Sequence, residues 1–316
     1  MNKVLLLTNT SDGLHSAKIE EKLIENGGEF VRLNTDSITL GKSNLSIFNH
    51  RGTYNIILDD EYIGDVDSIW FRRPYSFEFN IEDDVQRLNA EEEVRDVLDG
   101  MFEILSSKFW VSKPSSINRA RLKPLQVNIA KECGLNVPDT VITNSPDVAR
   151  NFCDLGKTVF KPLSGYCLEY EGILATAFTT LVTDDIYENL ELVKNQHVML
   201  QRYVTKEYEI RVTCVGNMLF PVRISADGFD EIVDHRTPDN YNSMSYEPIV
   251  LPHSIAEAIR KLVTAFSLEY ATVDLAVSPN GEYTFFEVNP IGQWYWIEEE
   301  TGLEITNSLA KHLLQL

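Results

Sequence analysis

The sequence predicts an α/β or α+β chain built from two or three compact units. Three observations carry this. Strands and helices alternate along most of the 316 residues, the pattern of mixed folds, and that length suffices for several sizeable cores. The first strand, KVLLLT, is a short apolar run that reads as a buried strand. Residues 271–290, ATVDLAVSPNGEYTFFEVNP, read as two strands joined at Asn280-Gly281, the strongest short hairpin signal.

Residues 1–110 read as one α/β unit. After KVLLLT, SAKIEEKLIENG is an amphipathic helix closed by Gly27-Gly28, and EFVRLNT is a second strand. NIILDDEYI has strand character, DSIWFRRP is a strand ending at Pro74, and residues 82–106 form a long helix with an acidic outer face. Residues 111–125 read as a connector. RLKPLQVNIAKECGLNVPDT is a helix stopped at Gly134, with Pro138 preventing continuation. TVITNS, DVARNFCDLG, TVFKPLSG, GILATAFT and DIYENLELVK then make a small α/β unit. HVMLQRYV, YEIRVTCVGN, MLFPVRIS, the hairpin and two helices, IAEAIRKLVTAFSL and ITNSLAKHLLQL, complete the chain.

Hydrophobic content of 43% and charged content of 24% are ordinary for a globular protein. A formal net charge of -20 argues against a nucleic-acid or anionic-membrane partner, which needs clustered Lys and Arg. An acidic ligand must therefore find a local basic pocket. Cys133, Cys153, Cys167 and Cys214 form no CxxC or zinc spacing, so they read as reduced cysteines of a cytoplasmic protein. The N-terminal apolar run is too short for a signal peptide, and no stretch reaches the length of a membrane span. No G-x-G-x-x-G or GxxxxGK[ST] is present, so neither a dinucleotide fingerprint nor a P-loop is available.

The hairpin carries the chemistry. With Asn280 and Gly281 as the central pair of a type I′ turn, opposed residue numbers sum to 561. Asp274 then faces Glu287, and Asn289 points to the same side. Directly opposed carboxylates repel. A hard cation removes the conflict, and Mg²⁺ takes one or two carboxylates together with substrate phosphates. The plainer alternative is a solvated acidic strand face, which the apolar Phe285, Phe286 and Val288 disfavour.

Upstream residues complete a nucleotide site. Lys161 ends the strand TVFKP, and Lys123 starts a helix, where phosphates are favoured. The strand containing Gln201, Tyr203 and Val204 offers backbone groups to a purine, and Glu207 suits ribose hydroxyls. Arg211 lies between Ile210 and Val212 and needs an anionic partner. Arg223 repeats the theme, and Arg236 beside Asp234 is a third candidate. Each cation taken alone has an equally plain role: a strand-end lysine, or an arginine paired with Glu209, Asp227 or Asp234.

The order of these motifs resembles the ATP-grasp ligase superfamily. The matching residues are Lys123, Lys161, Gln201-Arg202-Tyr203-Val204, Glu207, Arg211, Arg223, Asp274, Glu287 and Asn289. DSIWFRRP, FKPLSG, VDHRTP and NPIGQWYWIEEETGLEITNSLAKHLL are similar to the microviridin-type, graspetide-forming peptide maturases. The aromatic run in the last phrase has an alternative role in core packing. One departure is the segment SGYCLEYEG after Lys161, with only Gly165 and Gly172 where the superfamily carries a glycine-rich loop.

The resemblance implies a three-domain ATP-grasp fold. Residues 1–112 would form a Rossmann-like pre-ATP-grasp domain, 113–198 a central subdomain, and 199–316 a C-terminal subdomain with the metal site. It implies ATP and Mg²⁺ as cofactors and an ADP-forming peptide macrocyclase. That enzyme activates Glu or Asp side chains of a ribosomal precursor peptide and joins them to Ser, Thr or Lys. Asp274, Glu287 and Asn289 would hold Mg²⁺. Lys123, Lys161, Gln201, Tyr203, Val204 and Glu207 would bind the nucleotide. Arg211 and Arg223 would act on the transferred phosphoryl group, and Arg236, Asp234, Arg72 and Arg73 on the peptide. The expected partner is a precursor with a leader and an acidic core, met by a homodimer. The same ATP site also suits a ligase that adds an amino acid to a peptide or protein terminus.

Overall fold

The structure is a computed structural model that describes residues 2–164, 167–170, 173–176, 178–229, 232–234, 237 and 243–316. The N-terminal unit starts with β1 (Lys3–Thr8), α1 (Gly13–Glu25), β2 (Glu29–Asn34) and α2 (Thr35–Thr39). It continues through β3 (Leu45–His50), β4 (Thr53–Leu58), β5 (Glu61–Tyr62), β6 (Ser68–Phe71), α3 (Asp84–Ile104) and β7 (Phe109–Val111). Its main sheet has the order β2-β1-β6-β7, and every pair in it is parallel. Both faces are covered. Leu5 and Leu7 join one core while Val4 and Leu6 join another, which is why this strand reads as an unbroken apolar run.

β3, β4 and β5 form a separate antiparallel sheet. The strand character of NIILDDEYI resolves into β4 and β5, turned at Asp59 and Asp60, both with positive φ. β3 went unforeseen because LSIFNH is half-exposed along its length and shows no apolar alternation.

The expected connector 111–125 is largely helical. Pro114–Ala120 forms α4, with Pro114 in the first turn, where its missing N–H costs nothing. α5 (Lys123–Glu132) follows at once. The central unit holds β8 (Thr140–Thr143), α6 (Pro146–Asp154), β9 (Thr158–Lys161), β10 (Cys167–Tyr170), β11 (Ile173–Thr176), β12 (Thr180–Leu181), α7 (Asp184–Glu188) and β13 (Val198–Arg202). Its sheet runs β12-β9-β13-β8, and β10 pairs with β11 alone. β13 is thus an inner strand of the central sheet, so the chain passes to the C-terminal unit after Arg202 rather than at 198. The side chains of the segment SGYCLEYEG beyond Ser164 lie outside the described residues.

The C-terminal unit contains β14 (Tyr208–Val215), β15 (Met218–Ser225), β16 (Ser245–Pro248), α8 (His253–Ala265), β17 (Tyr270–Val277), β18 (Tyr283–Asn289), α9 (Tyr295–Thr301) and α10 (Ile305–Leu313). The sheet β16-β15-β14-β17-β18 is antiparallel throughout. α8 packs Ile259 and Leu262 into the core shared with Ile210, Val212, Val273 and Leu275. No helix among the described residues is long and apolar enough to cross a membrane.

The last helix returns to the start of the chain. Ile305, Leu309 and Leu313 of α10 share a core with Val4, Leu6, Ile19, Leu23 and Trp70. Asn2 Nδ2 donates to the Leu314 carbonyl at 2.6 Å. Trp294 sits at the centre, fully buried. Its ring meets His15, Trp70 and Tyr270 edge-on, at centroid distances of 4.8, 5.9 and 5.5 Å, and its Nε1 donates to Thr306 Oγ1 at 2.9 Å. The aromatic run of GQWYW is therefore packing at this position. Trp294→Ala should cost about 3–5 kcal/mol of stability, measured as a lowered urea midpoint; a change below ~1 kcal/mol would show the position to be loosely packed.

Candidate active site

β17 and β18 place the acidic residues. Asp274 pairs with Glu287 and Thr272 with Asn289, so Asp274, Glu287 and Asn289 share a face. The turn differs from the expected type I′ geometry. Gly281 N–H donates to the Ser278 carbonyl at 2.8 Å, and Ser278 N–H to the Glu282 carbonyl at 3.0 Å. Among the three loop residues, Pro279, Asn280 and Gly281, only Gly281 has positive φ, +78°. This is a type I turn with glycine in the left-handed position, for which Pro at the second residue is well suited. The turn shifts the register by one, and a bulge at Phe286 shifts it back between Leu275 and Asp274. The bulge turns Phe286 to the side of Glu287, where both line one pocket.

Each carboxylate meets a cation. Arg211, directly across from Asp274 on β14, forms a bidentate pair with it at 2.7 and 2.8 Å. Lys123, the first residue of α5, pairs with Glu287. Lys161, at the end of β9, donates to the Phe286 carbonyl at 3.2 Å and lies 5.1 Å from that ring. The edge of β18 is covered too. The buried amide of Gln126 donates to the Val288 carbonyl at 2.9 Å and accepts from Val288 N–H at 3.2 Å, replacing a neighbouring strand. Nothing in the sequence pattern marked Gln126.

A slot between the central and C-terminal sheets is lined by Val159, Lys161, Gln201, Tyr203, Val204, Lys206, Glu209, Asp234, Asp274, Phe286 and Glu287. Gln201 is buried and donates to Thr140 Oγ1 at 2.9 Å. Tyr203 N–H is committed to the Lys157 carbonyl at 2.9 Å, whereas Val204 N–H meets no backbone acceptor among the described residues. Asp234 is buried and accepts from Thr179 N–H at 3.2 Å; Arg236 lies outside the described residues. Lys206, unforeseen, is buried against Glu209 and donates to the Val233 carbonyl at 3.1 Å. Its i,i+3 spacing from Glu209 was the one available signal.

Two expected site residues lie apart from this row. Arg223 pairs with Ile210 and Val222 with Arg211, so Arg223 occupies the opposite face of the sheet from Arg211. Its guanidinium stacks 4.1 Å from the Tyr208 ring. Glu207 approaches it at 3.9 Å, and both line a separate polar cleft with Ser225, Asp227 and Ser243. Beyond the metal-site candidates, a cleft of about 560 Å³ brings together Arg73, Arg121, Lys123, Lys161 and Arg211, with Glu287 the one acid among the described residues of its wall. The net charge of -20 is locally reversed there. Arg121 was not foreseen.

This geometry can be set beside known proteins. Residues 3–118 match the family model described as the MvdD pre-ATP grasp domain. A RiPP-associated ATP-grasp ligase from Chryseobacterium gregarium, solved in complex with ADP and a leader and core peptide, superposes with a TM-score of 0.90 at 28% identity, covering 100% of this chain and 97% of that one. Over its full length the chain is similar to ATP-grasp ligases of the microviridin-maturase type. The macrocyclase MdnB of Microcystis aeruginosa MRC gives a TM-score of 0.82 at 27% identity, covering 99% of each chain. MdnC from the same organism, bound with precursor peptide MdnA, gives 0.86 at 24%, covering 99% of this chain and 100% of that one. No curated protein matches the chain.

Arg72 is placed where it cannot meet a peptide. It is 1% exposed, its Nε donates to Asp12 at 3.3 Å, and its Nη1 donates to the carbonyls of Ile291 and Gly292 at 2.7 and 3.3 Å. Tyr270 OH also donates to the Gly292 carbonyl, at 2.8 Å. Arg72 therefore ties the N-terminal sheet to the loop that follows Asn289. Gly292 allows the approach: a Cβ there would sit 2.2 Å from Thr272 Oγ1. Trp296 lies 5.6 Å from the Arg211 guanidinium, so the aromatic run also backs the site.

His15 is packed into this junction, 4.0 Å from Asp12. Burial, with the Arg72 charge, lowers its pKa from 6.5 to about 4. The unfolded chain then takes up the proton first, so His15 costs stability as pH falls from 6.5 toward 4. A His15→Leu variant should lose less stability than wild type over that window, read as urea midpoints against pH. Parallel profiles would show that His15 is not buried as the neutral ring.

Proposed function

We propose that the chain is an ATP-dependent, ADP-forming macrocyclase of a ribosomal precursor peptide, joining Glu or Asp side chains to Ser or Thr hydroxyls or Lys amines. The observation that carries this is the row Arg211–Asp274–Glu287–Lys123, set between a slot for the nucleotide and a basic cleft for an acidic peptide. The 28% identical ligase and the 27% identical macrocyclase, both aligned over nearly their full length, support the same reading.

The donor set fits Mg²⁺. Asp274 and Glu287 supply hard carboxylate oxygens from adjacent strands, with the Asn289 amide on the same face. When bound, Mg²⁺ would neutralise phosphate charge. Among the described residues no group of three or more His, Cys, Asp and Glu gathers at one point, in keeping with a cation that also needs substrate phosphates. Lys123 then leaves Glu287 for a phosphate, as a mobile point charge can, and Lys161 serves the same anion. Gln201 and the Tyr203-Val204 backbone receive the purine. Glu207, in the neighbouring cleft, is assigned the ribose on its place just after that segment. Asp234 steadies the slot wall and, through Arg236, the peptide.

The peptide carboxylate oxygen attacks the γ-phosphorus and ADP leaves, giving an acyl phosphate. A peptide hydroxyl or amine then attacks the acyl carbon. Phosphate departs with the former carboxylate oxygen, and the attacking group's proton passes to it. The protein supplies position and charge rather than a nucleophile. Arg211 remains beside the reacting phosphoryl group. Arg223, on the far face of the sheet, is not assigned to that group. The acidic core, a homodimer and a cytoplasmic setting belong to the same proposal.

The test is mass spectrometry of a Thr- and Glu-rich peptide after incubation with the protein, ATP and Mg²⁺. One water lost per crosslink at constant length is expected, and a gained amino acid would instead make the chain a terminal ligase. Glu287→Gln should keep its melting temperature within a few degrees and lose at least about 100-fold in turnover, since even outer-shell partners cost 10–100-fold. Unchanged turnover would remove Glu287 from the metal set.

A further inference from the structure

Resting on that reading of the substrate, we propose that Arg73 and Arg121 form a second carboxylate subsite, which takes an acidic side chain of the peptide other than the one being activated. The argument starts from charge. The chain has 28 Lys and Arg against 48 Asp and Glu, so a cleft wall that gathers several cations stands out on this surface. Arg32, Arg87, Arg95, Arg150 and Arg260 each pair with a carboxylate. Arg73 and Arg121 are exposed, and among the described residues neither side chain has an ion pair or hydrogen bond. They nonetheless line one cleft, where like charges repel.

The cleft is graded from inside outwards. Lys161 and Arg211 are 9% and 8% exposed, and Lys123 is nearly as enclosed. These three already touch the Phe286 carbonyl, Asp274 and Glu287, the groups beside the reacting phosphates. Arg73 and Arg121 form the solvent-side wall and touch none of them. The inner set therefore serves the nucleotide, and the outer pair is left for a second anion. Arginine suits a carboxylate there, because its planar fork binds both oxygens at once.

Both side chains spring from fixed backbone. Arg73 follows the buried Arg72, and its carbonyl accepts from Asn9 Nδ2 at 2.8 Å. Arg121 caps α4, its N–H donating to the Ile117 carbonyl at 3.1 Å. One residue leaves the N-terminal sheet and the other the helix leading to Lys123. The subsite thus spans two units and shares its cleft with Lys123, Lys161 and Arg211. An acidic peptide held there would present neighbouring side chains to the phosphoryl site while overcoming the unfavourable overall charge.

The experiment uses the full chain with ADP and Mg²⁺. A fluorescein-labelled peptide of Thr and Glu residues, and its counterpart with Gln at every Glu, are titrated by anisotropy. Wild type should prefer the Glu peptide by about tenfold or more, the scale of a lost charge-assisted hydrogen bond. Arg73→Ala and Arg121→Ala should each narrow that preference and the double variant abolish it, with ADP affinity and Gln-peptide affinity unchanged. Equal binding of the two peptides by wild type would overturn the subsite. So would a parallel loss for both peptides, which marks a structural role, or a loss of ADP affinity, which assigns the arginines to phosphate. Binding is read without turnover, so a failure of cyclisation is recognised separately, as no water lost from any peptide by wild type.

Discussion

Two carboxylates facing each other across adjacent strands are the constraint on which this structure depends. Asp274 and Glu287 occupy a strand pair whose surroundings are largely buried. Left alone they would repel, and burial would raise the cost. Arg211 answers one and Lys123 the other. These partners come from β14 and from the start of α5, so the site exists only when the helix after the N-terminal unit docks on the edge of the C-terminal sheet. Gln126 fixes that docking by bonding both backbone groups of Val288.

A second buried charge holds the opposite side. Arg72 gives two hydrogen bonds to the loop after Asn289 and keeps Asp12 as its counterion. Removing one partner of such a buried pair costs far more than the pair contributes, so Arg72 ties the N-terminal sheet firmly to the loop. Trp294 and the last helix lock the same junction by packing. The basic cleft is then a consequence of geometry: three units converge, and each contributes cations to a protein that is otherwise strongly acidic.

Much of this was legible in the sequence because it is periodic or local. The alternation of strands and helices, the buried first strand and the facing of Asp274 and Glu287 all follow from short-range patterns. The last of these held for a reason the sequence does not display. The turn is one residue longer than Asn280-Gly281 suggests, and the bulge at Phe286 restores the register. What stayed hidden depends on long-range contact. Nothing in RRP distinguishes the buried Arg72 from the exposed Arg73. The alternation of Arg211 and Arg223 between faces requires knowing how β14 and β15 are paired. Gln126 acquires meaning only from Val288, far along the chain, and Arg121 only from the cleft it shares with Arg73, while α4 and β3 are short elements fixed by what they pack against.

The central claim is that a peptide carboxylate is activated by taking the γ-phosphoryl group of ATP. The most direct measurement follows oxygen. A peptide carrying oxygen-18 in its Glu side-chain carboxylates is incubated with the protein, ATP and Mg²⁺, and the released phosphate is examined by phosphorus NMR. Transfer of one labelled oxygen to phosphate for each crosslink formed is the predicted result. Crosslinking accompanied by unlabelled phosphate would contradict the account, because the carboxylate oxygen would then never have been joined to phosphorus.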